Sequence, residues 1–317
     1  MASASVNIYI LSYPQAMASA VYGVHDLFQI ANQFTHPAEF QVHLISKQDT
    51  PEPQENSILF IPPPLGQGGV LPQPQSIQEA IHYWLSKNAV ITATCASVFW
   101  LAESGLLNGR MATTHWRLFD RLEKAYPKIK AVDRRQMVVD EGNVITAAGL
   151  YAFQDLTLHL IARFSSYHVA KQVADYAMLD MNGRLQNYYQ RFMPDYQHGD
   201  RVVLNAQRYC QKQPVSALGV RHLADAVNVT ERTLNRRFQR ALAMSPSHYL
   251  QQLRIDDAKL ELEYPQQSLE QIADRIGYSD VRNFIRAFKN VTGLTPSEYR
   301  QRQRTNTEIP ILSNITR

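Results

Sequence analysis

The sequence predicts two domains of different class: an α/β domain with a mostly parallel sheet, followed by an all-α domain with two helix-turn-helix units. Strand-like and helix-like patterns alternate through the first half of the 317 residues. Beyond about residue 200 the strand pattern fades, and a helical pattern occurs twice, about 50 residues apart. The length is about twice that of a typical single domain, and a hydrophobic content of 45% is enough for a sizeable core.

The elements of the first half follow the order expected of a sheet covered by helices on both faces. Buried strands are predicted at residues 6–11, 40–46, 58–61 and 89–93, and a hairpin at residues 137–146. Helices are predicted at residues 17–32, 76–86, 96–104 and 151–164. Seven prolines, with Gly66, Gly68 and Gly69, lie between Asp49 and Gln75 and indicate a loop around one short strand.

The predicted domain boundaries separate two regions of opposite charge. We expect the α/β domain at residues 1–165, a connector at 166–200, the helical domain at 201–305 and a tail at 306–317. Residues 1–199 carry 14 Lys and Arg against 16 Asp and Glu, a net charge of −2, whereas residues 200–317 carry 18 against 12, a net charge of +6. The helical domain is therefore the part suited to a polyanionic partner.

Composition and termini predict a chain of the reducing cytoplasm. Cys95 and Cys210 are too few for a disulfide framework and have no metal-ligand spacing, and no metal or organic cofactor is indicated. Residues 1–6 lack the basic region of a signal peptide, and the longest nearly uncharged stretch, residues 89–102, is too short to cross a bilayer. We therefore expect no membrane partner.

The repeat has the features of a duplicated helix-turn-helix. Its matching positions are Phe238, Pro246 and Tyr249 in the first copy and Phe288, Pro296 and Tyr299 in the second. Ala273 is followed four residues later by Gly277, and Ala224 by Asn228. This spacing supplies a small residue between two helices and a turn residue that tolerates a left-handed backbone.

The second helix of each unit is predicted to be capped, apolar on one face and basic on the other. Thr230 and Ser279 occupy the expected N-cap positions, and the pairs Leu234–Phe238 and Phe284–Phe288 should face the core. The other faces carry Arg232, Asn235, Arg236 and Arg240 in the first unit, and Arg282, Arg286 and Lys289 in the second. Guanidinium groups suit guanine edges and phosphates, and an Asn amide can pair with adenine, although any single Arg could equally belong to a solvated face.

The helical domain resembles the DNA-binding domain of AraC/XylS-type transcription regulators. The resemblance is carried by residues 223–262 and by IADRIGYSDVRNFIRAFKNVTGLTPSEYRQR at residues 272–302. It implies two helix-turn-helix units joined by a long helix at residues 246–263, entering successive major-groove segments of double-stranded DNA. It also implies that Arg232, Asn235 and Arg236 read bases in the first unit, and Val281, Arg282 and Arg286 in the second. Val281 is apolar, so it could contact only a thymine methyl group or nothing.

Cys95 stands at a corner between a predicted strand and a predicted helix. The run AVITATCAS at residues 89–97 has the pattern of a nucleophile elbow, in which a side chain is held above the sheet at a helix N-terminus. Such a position predicts a lowered thiol pKa or anion binding. The alternative is a small, partly buried hydrophobic residue.

The first half resembles PfpI-like, class I glutamine-amidotransferase-like sensor domains that are fused to AraC-type regulators. The matching segments are GVHDLFQIAN at residues 23–32, LAESGLLNGR at 101–110, TTHW at 113–116 and AGL at 148–150. The resemblance implies a flavodoxin-like sheet with a pocket at the elbow, and small nitrogenous effectors such as amino acids and quaternary amines. Trp84, Trp100 and Trp116 could cage a cation or pack in the core.

We expect the pocket to bind an effector rather than to catalyse. Ala96, not His, follows Cys95, and residues 1–25 contain no Asp or Glu, so the thiol lacks an obvious base and orienting acid. The pocket wall is predicted to include Cys95, Ala96, His115 and Asp26, with no catalytic residue assigned.

The sequence thus predicts a cytoplasmic, ligand-responsive transcription activator that is a homodimer and works with RNA polymerase. One alternative is a cysteine-dependent hydratase-like or amidase-like enzyme with a DNA-binding appendage. Another is a ligand-independent DNA binder whose first half only dimerises.

Overall fold

The structure is a computed structural model and describes residues 5–35, 39–46, 51–65, 70–181, 184–264 and 266–304. The predicted tail and the three glycines of the proline-rich loop lie outside the described residues. The chain divides into two compact units, Met1–Gln186 and Asn187–Arg317.

The first unit is built on a six-stranded sheet in the order β2-β1-β3-β4-β8-β7. The strands are β1 (Val6–Ser12), β2 (Phe40–Ser46), β3 (Ser57–Ile61), β4 (Val90–Thr94), β5 (Met111–Ala112), β6 (Ala131–Val132), β7 (Val138–Asp140) and β8 (Val144–Ala147). Neighbouring strands of this sheet run parallel except β7, which forms the predicted antiparallel hairpin with β8. The small parallel pair of β5 and β6 was not predicted.

Helices cover both faces of the sheet, as predicted. They are α1 (Ala18–Gln33), α2 (Gln75–Ser86), α3 (Val98–Glu103), α4 (Phe119–Ala125), α5 (Phe153–Phe164) and α6 (Tyr167–Tyr176). Ile8 and Ile10 of β1 pack in a core with α1, α5 and α6, while Tyr9 and Leu11 pack in a second core with α2, α3 and α4. Successive strand residues point to opposite faces, so each face of β1 supplies one core.

The described residues of the second unit form helices and turns. The helices are α7 (Arg201–Cys210), α8 (Val220–Ala226), α9 (Glu231–Leu242), α10 (Pro246–Glu261), α11 (Leu269–Arg275), α12 (Val281–Thr292) and α13 (Pro296–Arg304). One core contains Phe238 and Tyr249, and the other contains Phe288 and Tyr299. The duplicated residues therefore occupy equivalent core positions in two lobes joined by α10, the first lobe with α8 and α9 and the second with α11 and α12.

The two lobes also touch each other directly. Gly277, in the turn of the second lobe, lies so close to residue 216 that an added Cβ would be 2.8 Å from the Ser216 Cα. Arg254 of α10 donates a hydrogen bond of 2.7 Å to the Leu218 carbonyl, and its guanidinium lies 5.7 Å from the Tyr278 ring centroid. These contacts join the two lobes directly, in addition to α10. Within the described ranges, no helix has both the length and the apolar character needed to cross a membrane.

Candidate nucleic-acid interface and elbow site

The first helix-turn-helix consists of α8, a turn and α9. Ala224 is buried between the helices, and Asn228 adopts the left-handed backbone that the turn requires, with φ of +54°. The Thr230 side chain accepts a hydrogen bond of 3.2 Å from the Thr233 N–H and caps α9, as predicted.

The second unit repeats this arrangement with one difference at the cap. Ala273 is buried and Gly277 has φ of +84°. The prediction that Ser279 caps the following helix is wrong: α12 begins one residue later, and the Asp280 carboxylate accepts a hydrogen bond of 2.9 Å from the Arg282 N–H. A carboxylate at this position also interacts favourably with the positive end of the helix dipole.

Helix α9 presents a row of exposed polar side chains opposite its buried face. Leu234 and Phe238 are fully buried. Four predicted DNA-binding residues are exposed, and none of their side chains has a hydrogen bond or ion pair among the described residues: Arg232, Asn235, Arg236 and Arg240. Arg237 differs, because its guanidinium lies 3.0 Å from the Asp200 carboxylate. The sequence alone did not distinguish Arg237 as the paired member of this arginine-rich helix.

Helix α12 presents fewer exposed polar side chains of the predicted DNA-binding set than α9 does. Arg282 is exposed, and Arg286 donates a hydrogen bond of 2.8 Å to the Asn283 side chain, which sequence reasoning did not single out. The signal was the spacing of three residues, which places both side chains on one helix face. Val281 is half-buried and packs against the core of the second lobe, so the structure gives this side chain a packing contact.

Cys95 occupies a strained corner at the carboxyl end of β4. Its φ is +57°, which is unusual for a residue other than glycine. A short 3-10 turn at Cys95–Ser97 leads into α3. The Ser97 hydroxyl donates to the Thr94 carbonyl at 2.6 Å, and the Thr114 hydroxyl donates to the Cys95 carbonyl at 2.6 Å. The corner therefore has the elbow geometry that the sequence predicts.

The thiol at this corner is not activated. Cys95 is 5% exposed, and burial raises its pKa to about 12 despite an opposing contribution from the Ala96 backbone. The expectation of a lowered pKa is therefore wrong, because loss of hydration outweighs the hydrogen bond from the Ala96 backbone. At neutral pH this residue is a protonated thiol.

The structure brings the His115 segment close to Cys95, because the neighbouring Thr114 bonds to the Cys95 carbonyl. Asp26, in contrast, lies on α1 away from this corner. Desolvation, and secondarily the charge of Arg117, lower the pKa of His115, whose Nδ1 accepts a hydrogen bond of 3.1 Å from the Arg117 N–H. Met17, which precedes α1, bonds to Pro63 near the carboxyl end of β3. Asp26 is nine residues farther along α1, about 13 Å from Met17 at the usual helical rise. Asp26 is exposed and pairs with His25 at 3.1 Å.

A cleft of about 400 Å³ lies beside the elbow. Among the residues that the structure describes, its lining has no charged side chain and consists of Tyr13, Pro14, Gln15, Leu71, Pro72, Pro74, Ile77 and Trp100. Burial and the neighbouring Cys95 both raise the pKa of Tyr13, and the Tyr13 and Trp100 ring centroids are 5.0 Å apart. Of these lining residues, sequence reasoning had singled out only Trp100.

The three tryptophans do not share one cage. Trp84 is fully buried against Tyr9, and the Trp116 ring already has the Arg117 guanidinium 5.2 Å from its centroid. In the described residues, no group of three or more His, Cys, Asp or Glu side chains is arranged to hold a metal ion.

Comparison with known proteins separates the chain into two matched regions. Residues 223–302 match the helix-turn-helix domain model, and residues 31–163 match the DJ-1/PfpI family.

Several similar proteins from Pseudomonas aeruginosa match both halves in part. The HTH-type transcriptional regulator CdhR is 30% identical over 202 residues, which is 63% of this chain and 59% of CdhR. The HTH-type transcriptional regulator ArgR is 30% identical over 218 residues, 68% of this chain and 65% of ArgR. GbdR, also an HTH-type transcriptional regulator, is 27% identical over 216 residues, 67% of this chain and 57% of GbdR. The chain thus matches about three-fifths of the length of these relatives.

Proposed function

We propose that this chain, which joins a DJ-1/PfpI-family domain to an AraC-type helix-turn-helix domain, is a sequence-specific DNA-binding transcription regulator controlled by a small metabolite. The observation that carries the proposal is the duplicated helix-turn-helix with its exposed basic helix faces. The same lobe is built twice, and each copy presents guanidinium groups on the helix that follows the turn. In helix-turn-helix proteins this helix enters the major groove.

The base readers of the first unit are Arg232, Asn235 and Arg236, with Arg240 placed for a phosphate. Their side chains have no partner among the described residues, so binding DNA breaks no described ion pair. In the second unit Arg282 and Arg286 take this role. Val281 adds at most an apolar contact, since part of its side chain packs on the lobe core.

The effector site is the elbow with the adjoining cleft. Tyr13 and Trp100 line the cleft, and we assign Cys95, Ala96 and His115 to the elbow beside it, where Thr114 bonds to the Cys95 carbonyl. A cleft at the carboxyl ends of parallel strands is the usual ligand position in α/β folds. Asp26 is left out of this site because its side chain is exposed and lies about two turns into α1, away from the carboxyl ends of the strands.

Two observations favour an effector site over an active site. A thiol with a pKa of about 12 is a poor nucleophile at neutral pH. The relatives are named as transcriptional regulators. We include in the proposal a homodimer formed by the first domain, contact with RNA polymerase in activation, and a cytoplasmic location, where bacterial DNA is read.

The test is selection of duplexes from a random-sequence library by the full chain. We expect enrichment of one sequence with two conserved segments, and no enrichment by the Arg232→Ala/Arg236→Ala double variant. Equal recovery of all duplexes by the unaltered chain would contradict the proposal.

The effector part is tested separately by a thermal-shift screen of the full chain against amino acids and quaternary amines. A ligand that binds only the folded chain raises the melting temperature. Turnover of an amide or nitrile that is lost in Cys95→Ser, with unchanged duplex selection, would instead favour the enzyme alternative.

A further inference from the structure

The segment at residues 187–195, called the strap below, contacts both lobes of the second unit. At its start the Asn187 side chain donates a hydrogen bond of 3.2 Å to the Val291 carbonyl of α12. The next ring, Tyr188, has its centroid 4.8 Å from that of Tyr299. These contacts attach the beginning of the strap to the second lobe.

Four residues later the strap contacts the first lobe. The Phe192 N–H donates a hydrogen bond of 2.6 Å to the Asp256 carboxylate of α10. The Phe192 ring centroid is 5.1 Å from that of Tyr249, which belongs to the first lobe's core. The strap therefore spans from one lobe to the other alongside α10.

A buried lysine holds the middle of the strap. Lys259 is 1% exposed, its ammonium donates to the Gln190 carbonyl, and it lies 3.5 Å from the Asp256 carboxylate. Burying a charged group is costly unless it is paired and hydrogen-bonded, and an apolar side chain often fills such a space with less cost. The polar pair therefore holds the strap in one position. Lys259 binds the Gln190 carbonyl, and Asp256 accepts the hydrogen bond from the Phe192 N–H.

The residue just before the strap is anchored in the first unit. Gln186 is 3% exposed and donates hydrogen bonds to the Thr113 hydroxyl at 2.8 Å and to the Gln136 carbonyl at 3.2 Å. Thr113 is followed by Thr114, which bonds to the Cys95 carbonyl at the elbow. The Thr113–Thr114 segment, which contacts the elbow, is thus connected to the strap by the buried Gln186 side chain and by the peptide bond between Gln186 and Asn187.

We propose that the strap sets the relative orientation of the two recognition helices, with Lys259 and Asp256 as its positioning residues and Gln186 as its link to the effector site. The inference rests on the proposed function and adds its means of regulation. A ligand that shifts the Thr113–Thr114 segment also shifts Gln186, which is hydrogen-bonded to Thr113. The strap, which follows Gln186 and contacts both lobes, moves with it. The spacing at which the two helices meet successive grooves changes as a result.

The first test compares duplex selection by the full-length Lys259→Met variant with selection by Lys212→Met, a matched control at an exposed lysine of the same unit. The unaltered chain and the control should discriminate roughly tenfold against a one-base-pair change in the spacing of the two conserved segments. We expect Lys259→Met to keep the same base preferences and to lose this discrimination. A spacing preference unchanged in a folded Lys259→Met variant would overturn the proposal.

A second variant covers the case in which Lys259→Met does not fold. Asp256→Asn keeps the size of the side chain but weakens its hold on Phe192, and it should relax the same spacing preference. If both variants fold and retain the spacing preference, the strap is not a positioning element. If the unaltered chain selects no sequence at all, the proposed function fails instead, so the two failures are distinguishable.

The link to the effector site is tested by hydrogen exchange on the full-length Gln186→Leu variant. We expect faster exchange not only near residues 113–115 but also at the Phe192 amide, with Gln197→Leu, an exposed residue, as the control. Faster exchange confined to the first unit would contradict the link.

Discussion

Replacement of Gly277 by alanine tests whether the turn of the second lobe is fixed by close packing on the first lobe. The residue has φ of +84°, and an added Cβ would lie 2.8 Å from the Ser216 Cα and 3.1 Å from its carbonyl oxygen. A left-handed alanine costs about 1–2 kcal/mol, and overlap with rigid backbone adds about 1–3 kcal/mol. We therefore expect Gly277→Ala to lower the free energy of unfolding of the second unit by about 2–5 kcal/mol.

Gly199→Ala is the matched control for this substitution. Gly199 has φ of +79° in the same unit, but an added Cβ would meet nothing within 4 Å. It should therefore show the backbone cost alone, about 1–2 kcal/mol. The difference between the two variants isolates the contact with Ser216.

Urea unfolding followed by two signals can assign the loss to the second unit. All three tryptophans lie in the first unit, so their fluorescence reports that unit, whereas far-ultraviolet circular dichroism reports helices of both. Gly277→Ala should shift a circular-dichroism transition to lower urea and leave the fluorescence transition in place. Equal losses in Gly277→Ala and Gly199→Ala would refute the packing argument.

Three further predictions concern base reading, the elbow thiol and acid stability. Arg236→Ala should weaken binding to the selected duplex by about 1–3 kcal/mol and relax one base preference, whereas Arg208→Ala, an exposed residue of α7, should leave base preferences unchanged in the same titration. Cys95, with a pKa of about 12, should be alkylated by iodoacetamide at pH 8 about a thousandfold more slowly than an ordinary thiol, by mass spectrometry of the folded chain; alkylation at an ordinary rate would mean that the thiol is accessible and ionised. Burial opposes the charge of Asp200, but the Val203 N–H and the Arg237 guanidinium hold its pKa below the ordinary value, so its stabilising contribution is present above about pH 4 and is lost as the pH falls through the folded pKa. Asp200→Asn should accordingly destabilise the chain at pH 7 and reduce the loss of stability on acidification, and an acid unfolding curve parallel to that of the unaltered chain would contradict this.

Features that follow from local chemistry were predicted well. Alternation of strand and helix patterns predicted the parallel sheet, because strands buried on both faces are rich in apolar residues, as residues 58–61 of β3 show. The turn residues Asn228 and Gly277 have the predicted left-handed backbone, since few other residues adopt it at low cost. The Cys95 corner was also visible as a strand running directly into a helix.

Features that depend on the surroundings of a side chain were not predictable from the sequence. The ionisation of Cys95 is decided by burial, which no local pattern reveals. A position at a helix N-terminus predicted a lowered thiol pKa, whereas burial raises it. The cap at Asp280 differs from Ser279 by one residue, within the usual error of helix boundaries. The sequence pattern did not single out Lys259, because only the packed structure brings its ammonium to the Gln190 carbonyl of the strap.

Guanine methylation interference on the duplex selected by the unaltered full chain tests the central claim most directly, because methylated guanine N7 blocks contacts in the major groove. We predict two clusters of interfering guanines on one face of the duplex, about one helical turn or 10 base pairs apart, one for each lobe. A single cluster, or interference scattered around the helix, would show that the two lobes do not read successive grooves together.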